Sequence, residues 1–261
     1  MRLRVLGCSG GIGRNLRTTS LLIDDDILID CGTGVGDLSI EEMKKIRHIF
    51  LTHSHLDHLA CLPLMVDTLY CQLQQQPLWL HALPDTFEVL AKHIFNWKVW
   101  PDFFMLPDPA NAVIRYSPFS PGETLEIEDR TVAMVKVNHV VPGVAYRIAD
   151  SHSAMAFSGD TTTNDAFWQL LNAYDRLDLL VIECAFPNRD QALSKRAKHY
   201  CPTLLAEDMA KLKHHPKTCI THLKPGEEAL IFEQVNKALP QTDLLRLVGG
   251  EVFELPPRSC K

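Results

Sequence analysis

The sequence predicts an α/β chain, and three observations carry that reading. Short runs of apolar and β-branched residues recur between Gly, Pro and Asp turn signals, as buried strands do. Segments of helical periodicity are interleaved with them. With 46% hydrophobic and 22% charged residues over 261 positions, there is apolar material for one large core. No internal repeat, low-complexity tract or Ser/Gly-rich linker marks a boundary, so one domain spanning 1–261 is expected.

Taken in order, RLRVLGC, TTSLLID and DDILIDCG read as the first strands, separated by Gly and Asp turn signals. Ser39-Ile-Glu-Glu42 has the S-x-x-E form of a capping box and opens a short helix through Lys45. HIFLTH is a buried strand. The stretch 62–104 has longer-range helical patterning broken by prolines, and reads as a helical insert suited to a lid or a homodimer surface. VIRYSPF, TLEIED, TVAMVKVNH, VAYRIAD and SAMAFSGD follow as strands. Asn164 can cap a helix running to 174. DLLVIECAF is a strongly apolar strand, 203–213 is helical, KTCITHL is another strand, and 227–239 is a closing helix.

A formal net charge of −6 counts against a general grip on phosphate backbones, so a nucleic-acid partner is not expected. No apolar run reaches the roughly 18 residues of a membrane span. Gly7, Ser9, Gly10 and Gly11 interrupt the N-terminus below signal-peptide length. The expectation is no membrane association and a cytoplasmic location. Eight scattered cysteines without a C-x-x-C pair then read as reduced, packed thiols rather than disulfides or a structural zinc site.

The chemistry concentrates in Thr52-His53-Ser54-His55-Leu56-Asp57-His58, which begins where an apolar strand ends. Four nitrogen or oxygen donors in six positions suit Zn²⁺, with Mn²⁺ and Fe²⁺ as alternatives, and a turn after a strand lets them converge. A polar loop that is His-rich by chance is the competing explanation. Four donors do not complete two metal sites. His139 in VKVNHVVPG, Asp160 in FSGDT and His222 in CITHLKP each close another expected strand, and that shared position favours ligation. His48, His81, His93, His152, His214 and His215 have no convergent partners in sequence.

H-x-H-x-D-H, an isolated His, S-G-D-T and T-H-L occur in the order shown by the metallo-β-lactamase superfamily, which the chain resembles over nearly its whole length. The resemblance implies an αββα four-layer sandwich with its site along one edge of two sheets. It implies two divalent metal ions, one held by His53, His55 and His139, the other by Asp57, His58 and His222, with Asp160 bridging. Within the superfamily, HSHLDH, ILIDCGTG, HIFNWKVWPDF, VIECAFPN and ITHLKP resemble the class II cyclic nucleotide phosphodiesterases. In that family a Glu-Cys-Ser/Ala-Phe-Pro-Asn segment precedes one that contains a His. Here Glu183-Cys-Ala-Phe-Pro-Asn188 precedes Lys198-His199-Tyr200. Two departures stand out: Cys61 replaces a usual Gly, and Lys198-His199-Tyr200 replaces Gly-His-Leu.

That resemblance implies hydrolysis of a 3′,5′-cyclic nucleotide, cAMP or cGMP, to the 5′-monophosphate by a metal-bridging hydroxide. Cation binding lowers the pKa of water from about 15.7 to about 7. Asp57 and His199 are the catalytic candidates. His199 would contact the phosphate or protonate the 3′-oxygen, or else only close the pocket. Asp30 could accept from a ligating imidazole or serve as a cap or turn carboxylate, and Glu183 presents a similar choice. Residues 95–103, FNWKVWPDF, could stack a nucleobase, although such clusters more often form core or interface. The rivals are a tRNA 3′-processing endonuclease, another ester hydrolase of the same superfamily, and a non-catalytic metal-binding scaffold.

Overall fold

The computed structural model describes residues 1–256. Its strands are β1 (Arg2–Gly7), β2 (Ser20–Ile23), β3 (Ile27–Ile29), β4 (His48–Phe50), β5 (Leu78–Ala82), β6 (Ile114–Pro118) and β7 (Thr124–Ile127). After these come β8 (Arg130–Val137), β9 (Gly143–Ala149), β10 (Ala154–Phe157), β11 (Leu179–Glu183), β12 (Lys217–Thr221), β13 (Leu244–Arg246) and β14 (Val252–Glu254). They form two seven-stranded sheets, ordered β14-β1-β2-β3-β4-β5-β6 and β13-β12-β11-β10-β9-β8-β7. Each sheet changes from antiparallel to parallel part-way across, at β3–β4 in the first and β10–β11 in the second. Because β8 and β10 are both antiparallel to β9, and β10 through β12 are parallel, the ends of β8, β10 and β12 share one edge.

The side-chain period of two sorts each buried strand between two cores. Met155 and Phe157 of β10, with Leu179 and Val181 of β11, join Leu21, Ile29 and Phe50 in the core between the sheets. Ala156, Leu180 and Ile182 face the other way, against Phe167, Trp168, Leu205 and Val235. A third core covers the outer face of the first sheet. The layers are therefore helix, sheet, sheet, helix, and strands buried on both faces read as continuous apolar runs.

The helices are α1 (Ile40–Met43), α2 (Leu62–Thr68), α3 (Tyr70–Leu73), α4 (Pro84–Val89), α5 (Ala166–Asn172), α6 (Gln191–Ala197), α7 (Pro202–Met209) and α8 (Glu228–Ala238). The capping box forms: Ser39 Oγ accepts from the Glu42 N–H, and Glu42 accepts from the Ser39 N–H. Asn164 Oδ1 accepts from the Phe167 N–H at 3.0 Å and caps α5. Cys61 takes an ordinary right-handed conformation before α2, so this helix starts without the glycine.

The stretch 62–104 corrects the reading of a helical insert. It contains β5, which is hydrogen-bonded between β4 and β6 and so belongs inside the first sheet. Leu78, Leu80, His81 and Ala82 are all buried, which leaves almost no polar alternation to reveal a strand. Phe95 and Phe103 lie in the outer core, while Trp97 is 63% exposed. His48 and His81 do meet, Nδ1 to Nε2, at 3.0 Å across β4 and β5. Helix α7 stops before 213, so His214 and His215 fall beyond it. Seven described cysteines are free thiols, and Cys260 lies outside the described residues. Among the described residues, no helix is long and apolar enough to cross a membrane.

Candidate metal centre

The first four donors leave the end of β4 through a loop that closes in a short 3-10 turn, Leu56–His58. The loop packs tightly against Gly32, where an added Cβ would lie 2.3 Å from the Asp57 carbonyl oxygen. Asp160 follows Gly159, whose φ of +57° excludes a side chain, as an added Cβ would lie 2.7 Å from the Val144 carbonyl oxygen. Asp30, Lys198 and His222 also adopt left-handed backbone, at φ 56°, 53° and 59°. Such conformations cost energy in non-glycine residues and persist where the surroundings over-determine them. Here they surround one cluster of side chains.

Asp160 is its centre. His58 Nε2 lies 3.3 Å and His53 Nε2 3.7 Å from Asp160 Oδ2, and His222 Nδ1 lies 3.3 Å from Oδ1. His139 Nε2 is 3.1 Å from His55 Nδ1. Asp57 Oδ2 lies 3.7 Å from His58 Nε2 and 3.9 Å from His222 Nε2. The donors fall into two groups, His53, His55, His139 with Asp160, and Asp57, His58, His222 with Asp160, each spanning no more than 4.8 Å.

The surrounding hydrogen bonds set the tautomers. His58 Nδ1–H donates to Asp30 Oδ2 at 2.6 Å, and His139 Nδ1–H donates to the Lys198 carbonyl at 3.0 Å. His53 Nδ1–H donates to Thr52 Oγ1 at 2.9 Å, and that hydroxyl donates in turn to Asp30 at 2.8 Å. Each ring therefore turns an Nε2 lone pair toward the cluster. Buried His53 Nε2, His58 Nε2, His222 Nδ1 and Asp160 Oδ1 have no hydrogen-bond partner. Buried polar atoms are seldom left so, and three imidazole nitrogens together with an oxygen of the carboxylate they surround are what a cation would satisfy.

The electrostatics agree. Burial, followed by the neighbouring imidazoles, holds His53 well below its usual pKa, and burial takes His139 down to about 4 and His222 to about 3. These rings are neutral at pH 7, with lone pairs free to coordinate. For Asp160 burial works upward, but His222, His58 and His53 overcome it and keep the carboxyl well below the usual carboxylate range. His58 differs: burial pulls it down, yet Asp160 and Asp30 together raise it well above normal. A proton and a cation compete for its Nε2. Imidazole and carboxylate donors in this number fit a divalent metal.

Comparison with known families decides the placement. The model of the β-lactamase superfamily domain matches residues 25–239. The chain belongs to that superfamily. It is 26% identical over 207 residues to a probable 3′,5′-cyclic-nucleotide phosphodiesterase of Yersinia pestis, an alignment covering 70% of this chain and 58% of that one. It is 28% identical over 163 residues to ribonuclease Z of Crocosphaera subtropica, covering 58% and 48% respectively. The chain thus spans 48–58% of the length of these two curated relatives. The crystal structure of unliganded yeast PDE1 matches with a TM-score of 0.82 at 19% identity, over 96% of this chain and 98% of that one. At that identity the likeness is one of fold, the metallo-β-lactamase sandwich.

In this β-lactamase superfamily chain, all seven donors expected from the sequence come together, and His199 joins them. Its ring lies 5.0 Å from His139 and 5.2 Å from His222, centroid to centroid, and its Nδ1–H donates to Glu183 Oε1 at 2.7 Å. Glu183 also accepts from the N–H groups of Thr161, Ala185 and Tyr200. Burial lowers the His199 pKa, but Glu183 beside it outweighs burial and leaves it raised. Two positioning groups were not anticipated. Thr52 links His53 to Asp30, and Lys198 grips His139 at both ends, its carbonyl on Nδ1 and its Nζ on the His139 carbonyl. A threonine just before the histidine run was there to be noticed. The role of Lys198 depends on a left-handed turn after α6, which the sequence does not announce.

Proposed function

We propose that the chain is a binuclear metal-dependent phosphodiesterase that hydrolyses 3′,5′-cyclic nucleotides, cAMP or cGMP, to nucleoside 5′-monophosphates. The observation that carries the reading is seven donors gathered around Asp160, with buried ligand atoms left unpartnered. One divalent ion is assigned to His53, His55 and His139, the other to Asp57, His58 and His222, and Asp160 to both. Zn²⁺ suits the donors best, with Mn²⁺ or Fe²⁺ as alternatives. When bound, such a pair supplies Lewis acidity toward a phosphoryl oxygen and a solvent nucleophile at neutral pH.

The protein's own part is positional and acid–base. Asp30, Thr52 and Lys198 fix the imidazoles so that one nitrogen of each faces inward. Half-buried His55 and Asp57 are the donors nearest solvent, where a phosphate would enter. His199 keeps its proton because Glu183 pairs with it. It releases the proton from Nε2 to the 3′-oxygen as the P–O3′ bond breaks, while Nδ1–H stays on Glu183.

The name of the Yersinia pestis relative supports the substrate class. A second reading, an endonuclease acting on tRNA 3′ ends, is favoured by the ribonuclease Z relatives and keeps RNA as a candidate substrate despite the net charge of −6. The deciding experiment is hydrolysis of cAMP, cGMP and a small RNA with a 3′ extension by metal-quantified protein. Release of 5′-AMP or 5′-GMP, abolished in Asp57→Ala and restored to chelated wild type by metal, is the expected result. Two bound metals with RNA cleavage alone would overturn the substrate in favour of the second reading.

A further inference from the structure

A cavity of about 510 Å³ is lined by residues 7–9, at the end of β1, and by Leu223, next to His222 of the candidate metal centre. Its volume falls within the roughly 300–1,000 Å³ usual for small-molecule sites. Leu16, Leu223, Leu247 and Val248 supply an apolar wall, with Ser9 and Arg246 among them.

Most charged groups that line it are already engaged. Arg4 pairs with Glu42, Arg17 with Asp37, and Glu228 accepts from the Gly226 N–H. Arg246 is the lining guanidinium that forms no ion pair with a described residue. Ser9, 7% exposed, has a buried hydroxyl with no hydrogen-bond partner. A guanidinium without an ion pair among the described residues and an unpartnered hydroxyl, beside an apolar wall, suit a small anion with an apolar body.

The wall is shared with the metal centre. The Cys8 carbonyl accepts from the His222 N–H at 2.8 Å and from Thr221 Oγ1 at 3.0 Å, and Ser9 bridges Leu223. The segment lining the cavity is therefore the one that holds His222 in its left-handed conformation. We infer that the cavity is an effector site, which binds a small amphiphilic anion and transmits its occupancy through Cys8 and Ser9 to His222. The transmission rests on the metal-centre reading above, whereas the binding does not.

The probe is 8-anilinonaphthalene-1-sulfonate, an aromatic body with a single sulfonate, titrated into full-length, zinc-quantified protein. Saturation at one probe per chain is expected. Arg246→Gln and Val248→Asp should each weaken binding by about tenfold or more, the size of a charged hydrogen bond. Val248 is 47% exposed, so the second change leaves the fold intact. N-phenyl-1-naphthylamine, the same body without the sulfonate, should bind at least about tenfold more weakly. Saturating probe should shift zinc affinity, read by chelator competition, by about fivefold or more, and Arg246→Gln should abolish the shift. No saturable binding, or binding indifferent to both substitutions, overturns the site. Binding that leaves zinc affinity unchanged overturns the effector role. Protein that takes up no zinc sinks the metal-centre reading instead, and the binding arm is still decided.

Discussion

Asp30 sits in left-handed backbone, and its carboxylate accepts from Thr52 and, at 2.6 Å, from His58, so it serves the imidazole rather than a turn or cap. Replacing it by Asn removes the charge that fixes the His58 tautomer, and metal affinity should fall by about 10–100-fold, read by chelator competition. Full affinity in Asp30→Asn would reduce it to a turn residue. His199 makes a different prediction. His199→Ala should lower kcat by about 10²–10⁴-fold while both metals stay bound. As a general acid it must be protonated, so activity falls as pH rises through its pKa. Glu183 raises that pKa. Glu183→Gln should move the alkaline limb of kcat to lower pH, and an unmoved limb would leave Glu183 a structural carboxylate.

At the scale of elements, β4 and β5 carry a pH dependence of their own. Burial, then neighbouring His48, depresses the His81 pKa to about 3, and burial also lowers His48. An unfolded histidine titrates near 6.5. Below that value the unfolded chain takes up the proton first, so this contribution to stability is whole above pH ~6.5 and lost as pH falls toward 3. His81→Gln keeps a partner for His48 without titrating. Denaturant midpoints taken from pH 7 to pH 4.5 should fall less steeply in that variant, and parallel slopes would refute the assignment. The same strand shows where sequence reading ends. Strands that alternate, such as β7, or that run as an apolar block, such as β11, were legible because burial writes those patterns. Strand β5 lies between helices and is apolar apart from His81, even at exposed Trp79, and three-residue β13 and β14 are too short and exposed to carry a period. The residues that cluster around Asp160 were legible because strand ends sharing one edge deliver them. Lys198 was not, because its carbonyl reaches His139 through the left-handed turn that ends α6, which no residue there announces.

Across the whole molecule, the seven donors come from both sheets. His53, His55, Asp57 and His58 follow β4 of the first, whereas His139, Asp160 and His222 follow β8, β10 and β12 of the second. Cations held between them would join the two halves of the sandwich at one edge, beyond the apolar core that already joins them. A ligand that binds only the folded state stabilises it according to its concentration over Kd, about 4 kcal/mol at a thousandfold excess. For a chain of this size each kcal/mol raises Tm by about 2–4 °C. Chelated protein should therefore melt roughly 8–16 °C below protein with zinc at a thousand times its Kd. Asp160 is placed in both groups, so Asp160→Asn should lose most of the increment, while His55→Ala, which disturbs one group, should keep part of it. Equal losses in the two variants would argue against a shared carboxylate. A melting temperature indifferent to zinc in the wild type would show that the donors do not staple the sheets at all.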